Sequence, residues 1–135
     1  MKLNLACIRK VLLYLEDSCR INVIDDSYFE YEPVYIDQIC SSLPDFPKED
    51  IFYSLTNLEQ AKYIEADRIV VDGAIVEYAI LFITYAGHEF LSKIKSDSVW
   101  KKTIAVIEKL GCAGLKIIGD VSGTYLTESI SSLIR

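Results

Sequence analysis

Apolar residues recur at helical spacing from the start of the chain. Leu5, Ile8, Leu12 and Leu15 fall three to four residues apart, one stripe of a helix from about Asn4 to Glu16. Arg9, Lys10 and Glu16 lie off that stripe. From Asp17 to Glu32 the polarity is mixed and turn formers are frequent, which predicts a loop with at most a short strand at Tyr28–Tyr31. Helical spacing returns near Tyr35 with Ile36, Ile39, Cys40 and Leu43, and Pro44 stops it, because proline disfavours helix in the residue before it. After the connection Pro44-Asp45-Phe46-Pro47, a third helix is expected, with Pro47 in its first turn. Glu49 and Asp50 suit its N-terminus, and Ile51, Leu55 and Leu58 form its buried side down to Gln60 or Ala61.

The period then changes to two. Tyr63 to Val71 and Ala74 to Ile83 are rich in β-branched residues and flank Asp72-Gly73, a strong two-residue hairpin turn. A two-residue loop puts Val71 opposite Ala74 and Arg68 opposite Glu77, a favourable charge pair across the ladder. Thr84 sits where helical spacing resumes and is the expected cap of a helix carrying Phe90, Leu91 and Ile94. A cap at Asp97 or Ser98 opens the next helix, with Trp100, Ile104, Ile107 and Leu110 on one side and Gly111 at its end. A last helix is expected over 115–133, although Gly119, Gly123 and nearby serines are poor helix formers.

Helix, helix, short turn, helix, hairpin, helix is the order of a winged helix-turn-helix. The expected fold is therefore mainly α with a small β-hairpin, a winged helix-turn-helix plus C-terminal helices. Residues 35–95 carry its defining part. The expected organisation is a single domain over 1–135, with a winged-helix core over about 3–95 and a C-terminal helical extension over about 98–134. At 135 residues and 51% hydrophobic, the chain can bury a core without disulfides or metal.

Charge narrows the function. The net charge is −6, and all of it falls in residues 1–60, which hold five Lys/Arg and eleven Asp/Glu. Residues 61–135 hold nine of each. Phosphate contacts supply most nucleic-acid affinity, so an acidic chain counts against broad DNA binding. The cations of the second half gather instead at Lys93, Lys95, Lys101 and Lys102, read as a solvated helix face. Cys7, Cys19, Cys40 and Cys112 show neither C-x-x-C spacing nor a histidine partner, so buried free thiols in a reducing cytoplasm are expected. There is no secretory h-region and no apolar run long enough to span a bilayer.

No catalytic set is expected. His88 is the sole histidine and is read as structural, bonding to the hairpin or a neighbouring helix. Asp25, Asp26, Glu30 and Glu32 lack the glycine and spacing of a calcium loop and read as a solvated acidic loop. Gly111-x-x-Gly114 and Gly119-x-x-x-Gly123 lack the lysine and strand context of a phosphate loop. No cofactor, no metal and no enzyme activity follow from these residues.

Thr84-Tyr85-Ala86-Gly87-His88-Glu89-Phe90-Leu91, followed by Ile94 and by Asp97-Ser98-Val99-Trp100-Lys101, resembles the signature of an uncharacterised family of small bacterial and phage-associated proteins that carry a domain of unknown function. The opening Met1-Lys2-Leu3-Asn4, with Ile8-Arg9 and Leu12-Leu13-Tyr14-Leu15-Glu16, is similar to that family's N-terminus. Members have an aromatic residue and an acid where this chain has Tyr85 and Ala86. The resemblance implies a winged helix and no particular activity.

If duplex DNA is a partner, the helix after Pro47 reads it. Asn57 and Gln60 would meet adenine edges, Lys48 and Lys62 phosphates, Ser54 completes the exposed polar set, and Arg68 is the hairpin's cation. Glu49 and Asp50 oppose this. A DNA-associated transcriptional regulator and a protein–protein interaction module of phage or mobile-element origin are thus both open. The apolar excess over residues 99–134 further predicts a homodimer through the C-terminal helices, with Gly119, Ser122 and Gly123 admitting the second copy.

Overall fold

In the computed structural model, which describes residues 1–111 and 114–134, six helices and two small antiparallel sheets follow one another along the described residues. Cys112, one of the four expected thiols, lies outside the described residues. The chain divides into two compact units, Met1–His88 and Glu89–Arg135.

Helix α1 (Leu5–Ser18) starts where Asn4 caps it, its side chain accepting from the Cys7 amide at 3.1 Å. The Asn4 side-chain amide also donates to Asp50 at 3.0 Å. The apolar stripe is buried as its spacing predicts, and Arg9, expected off it, is buried too. Tyr14 accepts hydrogen bonds from Gln38 and Ser42, tying α1 to the helix that contains them.

The stretch read as a loop with at most a short strand at Tyr28–Tyr31 is a hairpin, whose second strand contains those residues. Strand β1 (Arg20–Ile24) pairs with β2 (Tyr28–Glu32) from Arg20 opposite Glu32 to Ile24 opposite Tyr28. Its turn is built without glycine. Asp25 and Asp26 both take positive φ, 51° and 58°, and the Ser27 amide donates back to the Ile24 carbonyl at 3.3 Å. Aspartate tolerates this left-handed geometry better than most residues, so an Asp-Asp pair can replace the expected Asn-Gly or Asp-Gly turn.

A further strand, β3 (Val34–Tyr35), runs directly into α2 (Ile36–Ser42), which ends before Pro44 as predicted. Pro47 sits one position before α3 (Lys48–Gln60), its carbonyl accepting from Asp50 and Ile51. Helix α3 closes with paired bonds from Lys62 to the Glu59 carbonyl and from Tyr63 to the Leu58 carbonyl. This closure needs a left-handed residue, and Lys62 supplies it at φ 65°.

Strands β4 (Ile64–Val71) and β5 (Ala74–Ile83) turn at Asp72-Gly73 with φ values of 50° and 80°, the expected hairpin. Strand β3 joins the other edge of β5, giving the order β3-β5-β4. Val71 faces Ala74 as predicted, but Val70 faces Ile75 and Ile69 faces Glu77. A bulge at Val76 thus moves Arg68 opposite Tyr78, not Glu77. The core of the first unit is formed by residues such as Leu12, Leu15, Ile39, Leu55, Leu58, Ile64 and Ile80, all at most 1% exposed. Each such side chain contributes about 1.5–3 kcal/mol.

Helix α4 (Tyr85–Ile94) begins at a clasp. The Thr84 hydroxyl accepts from the Gly87 amide at 3.0 Å and donates to the Lys62 carbonyl at 2.6 Å, while the Thr84 amide donates to the Tyr63 carbonyl at 3.0 Å. A Cβ at position 87 would lie 2.0 Å from that same Tyr63 carbonyl oxygen, so only glycine fits. Ser96, one residue earlier than expected, caps α5 (Asp97–Leu110), and Gly111 ends it at φ 69°. Helix α6 (Leu115–Ile134) is continuous through its glycines.

Candidate interaction surfaces

The six residues proposed to meet DNA do not form one surface. Lys48 is exposed at the first residue of α3, and Gln60 at its last. At 1.5 Å per residue they stand roughly 18 Å apart along the axis. Ser54 does not belong to the exposed set: it is buried, its hydroxyl beside the Cys7 thiol. The reason is spacing, since Ser54 lies between Ile51, Leu55 and Leu58 on the inner side of the helix. Asn57 is half-buried, and its side-chain amide donates to the Tyr53 carbonyl at 2.8 Å. Lys62 is exposed in the helix closure.

Arg68 is drawn back onto α3. Its guanidinium pairs with Glu59 and lies 5.3 Å over the centre of the Tyr78 ring. The Tyr78 hydroxyl, held protonated above its ordinary range by burial, donates to the same Glu59 carboxylate at 2.9 Å. The bulge at Val76 creates this triad by bringing Arg68 beside Tyr78. The arrangement neutralises the one arginine of the hairpin and ties strand to helix. Gln60, Lys62 and Arg68 therefore gather at the end of α3, with Arg68 already engaged.

Exposed apolar side chains also gather over the stretch read as a loop with at most a short strand at Tyr28–Tyr31. In the β1–β2 register, Ile21 faces Tyr31 and Val23 faces Phe29, so these four share one side of the hairpin. They are 57%, 44%, 56% and 72% exposed, respectively. The period-two alternation of Ile21 and Val23, and of Phe29 and Tyr31, was the available signal. At the root of the hairpin, the Tyr31 ring stacks on Phe82 with centroids 4.6 Å apart. A groove of about 420 Å³ opens there, lined by Leu15, Cys19, Ile21, Tyr31, Phe82 and Ile83, with Arg20 and His88 among its polar lining. Burial pushes the Cys19 thiol up to about 11, so it stays protonated and a poor nucleophile at neutral pH. Burial also raises Cys7 and Cys40. His88 is exposed, and among the described residues its ring makes none of the hydrogen bonds expected of a structural histidine.

In the second unit, the small residues of α6 face side chains of other helices of the same chain. A Cβ on Gly119 would meet the Phe90 ring at 3.4 Å, and one on Gly123 the Lys93 side chain at 3.6 Å. Ser122 and Thr103 are buried with their hydroxyls 2.9 Å apart; because Thr103 donates to the Val99 carbonyl, Ser122 is the donor between them. Of the lysine group, Lys101 and Lys102 are exposed, and Lys102 lies 5.7 Å from the Tyr125 ring centre.

Among the described residues, no three His, Cys, Asp or Glu side chains are placed to hold a metal ion. No helix of the described residues is long and apolar enough to cross a membrane. No curated protein and no solved structure matches the chain. Residues 2–113, from the start of α1 to the end of α5, match the model of the family described as Hypothetical protein (DUF2513), a domain of unknown function, and the chain belongs to that family.

Proposed function

We propose that the chain is a non-enzymatic winged-helix protein that works as a protein–protein interaction module in the cytoplasm. The order α1, β3, α2, α3, β4, β5 and the sheet order β3-β5-β4 support the winged-helix reading. The observation that carries the function is where the exposed groups lie. Large apolar side chains cover the β1–β2 hairpin, while the helix in the DNA-reading position has Ser54 buried, Asn57 bonded to its own backbone and Arg68 engaged by Glu59. Apolar patches of this kind mark protein contacts. The three described cysteines are free, and those raised thiols suit a reducing compartment.

Binding to random duplex DNA at low ionic strength, followed by a salt titration, tests this reading. No saturable signal is expected. Binding that falls steeply with salt and is weakened by Lys48→Ala and Lys62→Ala would replace it with the second reading, a DNA-associated transcriptional regulator. That reading is supported by the short connection between α2 and α3 and by exposed Lys48, Gln60 and Lys62.

Self-association through α6 is part of the proposal. Thr103 faces Ser122 and Lys102 faces Tyr125, so α5 and α6 run antiparallel. By helical rise, the last turn and a half of α6 extends past the start of α5. That overhang carries exposed Ile130, Leu133 and Ile134. Light scattering should give a dimer mass that Leu133→Asp with Ile134→Asp reduces to a monomer.

A further inference from the structure

We propose that the apolar face of the β1–β2 hairpin, with the groove at its root, is the docking surface for a cationic amphipathic helix of a partner protein; this rests on the interaction reading above and names the chemistry of its partner.

An isolated two-stranded hairpin of five residues per strand is marginal in water. This one is anchored at its root by Tyr31 on Phe82, while Val23 and Phe29 stand farther out with more than half their surface exposed. Ile21 and Tyr31 belong to both the hairpin face and the groove, so the two form one continuous apolar strip. Five paired residues span about 17 Å at 3.4 Å each, the length of roughly three helical turns. A helix with apolar residues at i, i+3 or i+4, and i+7 matches that strip.

Charge selects among occupants. Asp25 and Asp26 form the turn at the tip of the strip, while Glu30 and Glu32, which alternate with Phe29 and Tyr31, lie on the opposite side of the hairpin with Arg20. Within residues 20–32 these four acids face one cation, Arg20. An acidic hairpin repels nucleic acid and the anionic surface of a membrane. A second copy would set the same acids against each other. A helix with lysines flanking its apolar stripe meets both the strip and the acidic turn at its tip.

The test uses the full chain and a fluorescein-labelled 18-residue helix of leucine and lysine in amphipathic order, followed by anisotropy at low and moderate salt. Controls are a scrambled peptide of the same composition and a leucine–glutamate peptide in the original order. Saturable binding of the ordered lysine peptide is expected, at least tenfold weaker for both controls. Phe29→Ser with Val23→Ser should reduce the affinity at least tenfold. Asp25→Asn with Asp26→Asn should reduce it and flatten its salt dependence, with circular dichroism melts of both variants matching the parent. Equal binding of the scrambled peptide, or binding unchanged in both variants, overturns the proposal. So does a dimer mass that the Phe29 and Val23 variant abolishes, because the occupant is then a second copy. Absent peptide binding with absent DNA binding removes only this assignment; salt-sensitive DNA binding through α3 removes the interaction reading itself.

Discussion

The two hairpins of this chain use the same kind of turn and differ in how they are anchored. Both reverse through two consecutive residues of positive φ, Asp25-Asp26 in one and Asp72-Gly73 in the other. The β4–β5 hairpin is longer, pairs with β3 along one edge, and is tied to α3 by the Arg68, Tyr78 and Glu59 side chains. Its inner end is clasped where Thr84 and Gly87 meet Lys62 and Tyr63. The β1–β2 hairpin is a two-stranded sheet whose ten strand residues are all exposed. A turn thus brings two strands together, but a third strand and side-chain ties decide whether the hairpin belongs to the core. The hairpin without those ties leaves every strand residue exposed, whereas the anchored one exposes apolar side chains only in its outer half, at Ile69, Val70, Val71, Ile75 and Val76.

Substituting Gly87 by alanine strikes the anchored hairpin hardest. The new methyl would sit 2.0 Å from the Tyr63 carbonyl oxygen, which is backbone and cannot step aside cheaply. Urea denaturation should show a loss of about 3 kcal/mol. A loss below about 1 kcal/mol would mean that the clasp is looser than its geometry. Tyr78→Phe should cost less, about 1 kcal/mol, because it removes one hydrogen bond to a carboxylate that keeps its arginine. Its effect should fall further when Arg68→Ala is already present, a coupling that a double-mutant cycle reads directly.

A pH series separates the groove from the rest of the unit. The folded Cys19 thiol titrates at about 11, above its ordinary value of 9.0. The stability linked to it is complete below pH 9 and is lost as pH rises through 11. Melting temperatures should therefore fall over that interval, and Cys19→Ala should make the fall shallower. Identical slopes for the two proteins would show that the thiol does not sense the groove. The smallest effect is expected on the open hairpin: Phe29→Ser should change global stability by no more than about 0.5 kcal/mol. A loss comparable with that of Gly87→Ala would show that the β1–β2 hairpin carries structural load after all, and the contrast between the two would fail.

Much of the fold was legible from short-range signals. The stripe of α1, the stop at Pro44, the Asp72-Gly73 turn, the Thr84 cap and the Gly111 terminus each depend on residues within a few positions of one another. Of the β1–β2 hairpin only the second strand was legible, at Tyr28–Tyr31; the first strand and the pairing were missed because the turn contains no glycine and the strands are short, although the alternation of Ile21 with Val23 and of Phe29 with Tyr31 was present. Strand β3 was missed because two residues carry no readable period.

The sequence by itself thus determined where the chain turns, where helices start and stop, and which stripes are apolar, since capping, φ preference and periodicity act within one or two turns of chain. Tertiary structure alone decided that Ser54 points inward, that the bulge at Val76 delivers Arg68 to Glu59, and that Gly87 lies under the Tyr63 carbonyl. Those outcomes depend on contacts between residues 9 to 47 positions apart, such as Arg68 with Glu59 and Ser54 beside Cys7. No local preference encodes such distances, because they arise only when separate elements compete for the same space.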